Sequence, residues 1–392
     1  MIPKLAGTPP SCPRKRASST PCRCENTPKV RTGLPAFARA LQNYRLMIPL
    51  ASRFVREAAM AERRIGQLSF ADNLVADAGW ANATLKRIRE LVDWKDIESL
   101  LGGLRSGPMG APAYPALALF KALLLQQLYG LSDPQLEEAL ADRLSFRHFL
   151  GLSLTDDVPD HSTLWRFREQ LTKSGLAERA FALITSQIER SGFVLKRGTL
   201  IDASLIRAAV NPPAPPATPL PPDADGRPAS KLVRSPLDPD AAWSKKEGKY
   251  FFGYKAHVAM DQGSRIVRRA IFTPGNVNET VPADQLICGD EDRVYADKAY
   301  DSYARRERLR ALGIRNGIAH RGHWRRPTGP WAARRNELIS HTRAPIEPLF
   351  ALLKNVHRLA RARYRGLVRN AGAFYLAITA INLKRWSMLH PA

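Results

Sequence analysis

Three carboxylates stand out by their positions. Asp202 follows the short apolar run Leu200–Ile201, Asp297 follows ArgValTyrAla at 293–296, and Glu347 opens a helical run. Carboxylates at strand ends lie on the rim of a sheet, where ligands bind. Three that converged would repel one another unless a divalent cation neutralised them. Hard oxygen donors select Mg²⁺, with Mn²⁺ as the alternative. Two such ions about 4 Å apart activate a water or hydroxyl and stabilise the leaving oxygen of a phosphodiester. Surface or helix-capping roles stay open on spacing alone, because the chain holds 36 acidic residues.

The surroundings of Glu347 favour the phosphate chemistry. Arg343 lies four residues before it and Lys354 seven after, spacings that return to one helical face. Ile346, Leu349, Phe350 and Leu353 form the opposite, apolar face. Pro345 and Pro348 put the helix start near Glu347, where backbone N–H groups also favour anions. The plain alternative is an ordinary surface pair on a helix.

These residues must be held by a chain of 392 residues, long enough for two or three domains. Sixty Lys and Arg against 36 Asp and Glu give +24 at neutral pH and a pI near 10.4. That surplus disfavours a neutral metabolic enzyme and attracts polyanions, nucleic acid above all. Cys12, Cys22, Cys24 and Cys288 include no CxxC pair, so neither a disulfide scaffold nor a structural zinc site is expected. No secretory leader and no membrane span are expected, and the location implied is cytoplasmic, on the nucleoid.

Residues 1–60 are basic, rich in Pro, Ser and Thr, and without period, which predicts disorder. The orderly pattern begins at Met60, so translation from Met60 or Met47 is expected. Residues 61–190 read as helical. Leu85, Ile88, Leu91 and Val92 recur at helical spacing, as do Leu117, Phe120, Leu124 and Leu128. Asp133 is the expected N-cap of one helix, with Pro134 at its first position, and Ser162 the expected cap of another. Short helices, tight turns and Arg143, Arg147, Arg166 and Arg168 suggest a helix-turn-helix-like, DNA-binding bundle; a plain helical packing domain is the alternative.

From Phe193 the period changes. Residues 198–204 read as a strand ending at Asp202. Residues 250–260 and 265–272 read as a hairpin, and residues 293–297 as a strand ending at Asp297. Helices are expected at 303–312, about 346–363 and 371–386. The fold class is α/β, an interleaved sheet with flanking helices over 191–388. Residues 211–240 hold ten of the thirty prolines and read as an insertion that does not pack. His320 and His323 resemble a ligand pair but lack Cys or acidic partners at zinc spacing. Trp324, Arg325, Arg326, Arg334 and Arg335 read as a basic, partly aromatic DNA-contact loop. The run Arg358 to Arg365 would neutralise phosphates, unless it is simply a solvated face.

The motifs in combination carry a family resemblance. They are LeuIleAspAlaSer at 200–204, PheGlyTyrLysAlaHis at 252–257, ThrProGlyAsnValAsnGlu at 273–279 and AlaAspLysAlaTyrAspSer at 296–302. Arg343, Glu347, Phe350 and Lys354 add to them, with the helical stretches 129–140 and 159–168. The sequence resembles bacterial insertion-sequence transposases of the DDE class, in particular the insertion-sequence-five group, over about residues 60–388. The resemblance implies an RNase H-like catalytic domain, with the first Asp on the first strand, the second on the fourth and Glu on a late helix. That maps to Asp202, Asp297 and Glu347 as catalytic metal ligands for two Mg²⁺ ions. It further implies DNA contacts by Arg343, Lys354 and Lys298, beside the Arg166, Arg168, Arg325 and Arg326 contacts above. The group's Tyr-Arg-Glu-Lys signature has Ser340 at its Tyr position here, and Ala299 replaces the usual Gly.

The implied activity is cleavage at transposon ends and strand transfer into target DNA. The implied partners are terminal inverted repeats, target DNA and further copies of the chain, as a homodimer or larger homo-oligomer. A divalent-metal endonuclease of the same fold and a catalytically inactive DNA-binding relic are the rivals.

Overall fold

Helices fill the first half because its apolar residues recur at 3.6-residue spacing. The computed structural model describes residues 62–67, 70, 72, 82–104, 112–211, 235, 237–246, 248–322 and 329–390. The expectations for residues 1–60 fall outside these. The helices are α1 (Ala83–Leu91), α2 (Trp94–Leu101), α3 (Ala116–Tyr129), α4 (Asp133–Asp142), α5 (Leu144–Leu150), α6 (His161–Lys173) and α7 (Leu176–Arg190). α3 is buried from Ala118 to Gln127, and α2, α4, α5 and α6 pack on it. Gly130 ends it in the left-handed region at φ 64°.

Two caps differ from expectation. Ser132, not Asp133, caps α4, in a reciprocal capping box with Gln135. Asp160, not Ser162, caps α6, its carboxylate accepting from the Thr163 N–H at 2.7 Å. In both cases a residue one or two positions ahead also had a side-chain oxygen, and the backbone turned there.

The sheet comprises β1 (Thr199–Arg207), β2 (Ala242–Lys246), β3 (Lys249–Asp261), β4 (Val267–Pro274), β5 (Arg293–Ala296) and β6 (Arg315–Ile318). Its order is β2-β3-β1-β5-β6, with β4 also on β3. β1 is central. It runs antiparallel to β3 and parallel to β5, which runs parallel to β6. α8 (Thr280–Leu286) and α9 (Tyr303–Ala311) flank it, followed by α10 (Pro330–Arg343), α11 (Glu347–Asn355) and α12 (Leu367–Leu389). A mixed sheet with flanking helices fits the RNase H-like expectation. The short β2 raises the count by one, so Asp297 follows the fifth strand rather than the fourth.

α12 joins the two halves. It is buried along most of its length and packs on α1, α3, α6, α7 and β4. Asn382 locks it to β4, accepting from the Val267 N–H at 2.9 Å and donating to the Val267 carbonyl at 2.8 Å. The Tyr375 hydroxyl lies 2.9 Å from Glu178 on α7 and 3.2 Å from the Ala270 carbonyl on β4. The helices and the sheet therefore share one hydrophobic core.

Three further expectations are corrected. α11 ends at Asn355, because the chain turns to run beside β1: the Arg207 N–H donates to Ala360 at 3.2 Å and the Ala362 N–H to Arg207 at 2.7 Å. The far end of the 211–240 insertion packs rather than looping out. Asp238 is fully buried and accepts from the Tyr254 hydroxyl at 2.6 Å and the Gly366 N–H at 3.1 Å. Residues 330–343 form α10 rather than a loop.

Two buried histidines predict an acid sensitivity. Burial, with Lys255 beside His257 and Lys384 beside His357, lowers both to a pKa of about 4. In the unfolded chain each takes its proton near pH 6.5. Their contribution should be complete above pH 6.5 and fall as pH drops toward 4, by up to about 3 kcal/mol each. Urea unfolding at pH 7 and pH 4.5 checks this, and His257→Gln should flatten the pH slope.

Candidate metal centre and DNA-facing site

β1 and β5 pair only at Thr199–Val294 and Leu200–Tyr295. Asp202 and Asp297 each lie two residues beyond the last parallel pair, level with one another where the strands part. Asp202 thus lies mid-strand, not at a strand end as expected. β1 continues to Arg207 because its other edge stays paired with β3, Asp202 opposite Val258. The site still falls at the carboxyl ends of parallel strands, where open sheets bind ligands.

Arg343, the last residue of α10, faces both carboxylates. Its guanidinium lies 3.2 Å from Asp202 and 4.0 Å from Asp297. Asp202 also accepts from the Ala203 N–H at 2.8 Å, and Asp297 from the Lys298 N–H at 2.6 Å. One 3₁₀ turn, Ala344–Ile346, separates Arg343 from Glu347. Ile346, Leu349, Phe350 and Leu353 are buried as the periodicity required, so the opposite face of α11 is turned outward. Glu347 is exposed at its start and Lys354 half-buried near its end. Arg343 Nε is buried without a protein partner, as is the Tyr300 hydroxyl beneath the site. Carboxylate oxygens at a sheet rim, with a buried hydroxyl that has no protein partner, suit a hydrated divalent cation, whereas the unpaired Arg343 Nε is a donor that suits an anion.

The remaining site candidates divide. Lys298 and Arg166 are exposed, the latter donating to the Ser162 hydroxyl at 2.9 Å. Arg168 is no surface cation. It is buried and spent on the Asp133 carboxylate and on Gln126 at 3.1 Å, bracing α6 against α3 and α4. Arg335 caps β6 instead, donating to the Asn316 and Ile318 carbonyls at 2.8 and 2.9 Å, and Arg334 pairs with Glu337. His323, Trp324, Arg325 and Arg326 lie outside the described residues.

Among the described residues, the group of three possible ligands whose donor atoms lie within 4.8 Å of one another is not the triad but Cys288, Asp290 and Glu291. Its donors are spent. Asp290 takes Arg268 in a two-pronged pair at 2.8 and 2.9 Å and Lys196 at 2.8 Å. Glu291 accepts the backbone N–H groups of Cys288, Gly289 and Asp290. This is a turn lock.

Sequence reasoning assigned no role to Lys255, Glu279 or Tyr300, although all three lie inside the quoted motifs. Lys255 donates to the Val277 carbonyl at 2.9 Å and lies 3.8 Å from Glu279. Burial first, then the charges of Glu279 and Asp202, raise the Tyr300 phenol far above its ordinary range.

Residues 195–383 match the family model described as Transposase DDE domain. Residues 75–170 match the one described as Transposase domain (DUF772). The two matches together span most of the chain, and the sheet lies within the stretch that matches the DDE model. It is also similar to a piggyBac transposase, solved by cryo-EM as a synaptic complex with hairpin DNA. Identity is 11% and the TM-score 0.37, over 83% of this chain and 78% of that one. That likeness is too distant to bear on residue roles. Among the described residues no helix is long and apolar enough to cross a membrane.

Proposed function

We propose that the chain is an insertion-sequence transposase of the insertion-sequence-five group, which cuts DNA at the ends of its element and joins them to target DNA. One observation carries this reading: Asp202 and Asp297 stand level at the sheet rim, facing one arginine a single turn ahead of Glu347. Asp202, Asp297 and Glu347 would hold two Mg²⁺ ions, or Mn²⁺ in their place. When bound, the ions supply Lewis-acid activation of the attacking hydroxyl and charge stabilisation at the leaving oxygen.

The protein's own residues do the rest. β1 and β5 carry the two aspartates on the sheet, and Glu347, one 3₁₀ turn after Arg343, would complete the ligand set. Arg343 and Lys354 grip phosphates flanking the scissile bond, and Lys298 and Arg166 extend the cationic track, with Arg325 and Arg326. Arg343 exchanges its carboxylate partners for DNA phosphates as the acidic site fills. The helices of residues 61–190 read the terminal inverted repeats in a helix-turn-helix manner, and residues 191–388 form the catalytic domain. Paired ends call for a homodimer or larger homo-oligomer, acting in the cytoplasm on the nucleoid.

The test is a joining assay. A pre-cut terminal-repeat duplex with a free 3′-hydroxyl is mixed with supercoiled plasmid and Mg²⁺. Joined product is expected from the native chain and none from Glu347→Gln. Nicked plasmid without joining would mark an endonuclease instead. DNA binding with neither product would mark a relic.

A further inference from the structure

Two groups outside the aspartate–glutamate triad lie on segments that one arginine clamps together. Tyr300 closes the 3₁₀ turn that follows Asp297, its N–H donating to the Asp297 carbonyl at 2.9 Å. The ring is 1% exposed, and its hydroxyl has no protein hydrogen-bond partner. Leaving a buried hydroxyl unpaired costs about 1–3 kcal/mol, so a partner that is not protein is called for.

Glu279 stands just ahead of α8, with Lys255 at 3.8 Å. Arg305 ties the two segments together. Its guanidinium, buried, donates to the Tyr300 carbonyl at 2.5 Å, the Thr280 carbonyl at 2.7 Å and the Asp284 carboxylate at 2.8 Å. α8 and the Tyr300 turn are thereby packed as one piece. The Tyr300 ring packs in the buried cluster that holds Ile201 and Ala296, the residues just before Asp202 and Asp297. Tyr300 and Glu279 thus stand on two clamped segments, one of them the turn that starts at Asp297.

We propose that Glu279 and Tyr300 form the outer layer of the cation site, accepting hydrogen bonds from water bound to a divalent ion that Asp202 and Asp297 hold. This deepens the transposase reading and rests on it. Divalent ions of this size keep several waters, which need acceptors beyond the direct ligands. Outer partners of this kind typically change metal affinity 10–100-fold when removed. Both are positioning residues, acting through the ion's water rather than on DNA.

The test uses the full chain without DNA and Mn²⁺ alone as probe, with free Mn²⁺ read by electron paramagnetic resonance. Tyr300→Phe and Glu279→Gln should each weaken Mn²⁺ binding about tenfold. The metal-free melting point of Tyr300→Phe should stay level or rise, because the variant removes an unpaired hydroxyl and keeps the ring. Native Mn²⁺ affinity in Tyr300→Phe and Glu279→Gln would overturn the proposal, whatever their melting points. Asp202→Asn separates the two levels: its native-like Mn²⁺ affinity would sink the cation site itself. Loss of binding there, with none in the other two variants, would sink only the outer layer.

Discussion

Replacing Asp202 by Asn should lower DNA cleavage at least about a thousandfold, with the protein still folded. The size follows from several kcal/mol of transition-state charge stabilisation by the cations it would hold, at about 1.4 kcal/mol per tenfold. Folding should be nearly indifferent. Asp202 pairs with Arg343 at 3.2 Å, but both side chains are partly exposed and Arg343 keeps Asp297 beside it, so the loss should stay at about 1 kcal/mol. Asn also keeps the acceptor for the Ala203 N–H. Gel cleavage rates under single turnover, beside a urea melt, separate the two effects. Equal losses of stability and rate would make Asp202 a structural residue.

Arg168 should behave in the opposite way. Its guanidinium is buried, and Asp133 and Gln126 depend on it across three helices. Breaking a buried pair costs about 3–5 kcal/mol. The lower end applies here, because Asp133 keeps 27% exposure and can be rehydrated. Arg168→Met should therefore destabilise by about 3 kcal/mol, while DNA affinity of the folded fraction stays native. Arg166→Ala should do the reverse, leaving stability intact and reducing the salt dependence of DNA binding by about one unit of slope. Urea denaturation and fluorescence anisotropy across salt concentrations would show both. A native melt for Arg168→Met would contradict the brace.

The contrast between neighbours two residues apart shows where sequence reading stops. The α6 pattern correctly predicts a helix with scattered arginines. Which arginine points inward is decided by Asp133 and Gln126, 35 and 42 residues away. The three carboxylates stood out because each follows or opens a local pattern: two apolar strand runs and a helix start, although Asp202 proved to lie inside its strand. The extent of β1 beyond Asp202 was not legible, since it depends on β3 continuing after β5 has stopped pairing. Likewise α11 shortens because residues 360–362 find hydrogen-bond partners on β1. Glu279 and Tyr300 lay in visible motifs, yet only the Arg305 clamp makes them neighbours. The apolar face of α11, by contrast, was fully predictable from its 3.6-residue period.

The most direct test of the metal centre changes a ligand's chemistry and asks whether the metal preference follows. Asp297→Cys exchanges a hard oxygen donor for a softer thiolate, which disfavours Mg²⁺ more than Mn²⁺. Cleavage of a terminal-repeat duplex is measured in each ion alone, for native chain and variant. The account predicts that Asp297→Cys is inactive in Mg²⁺ and regains substantial activity in Mn²⁺, while native protein cleaves in both. Cleavage by the variant in Mg²⁺ at the native rate would contradict a role for Asp297 in holding the catalytic cation.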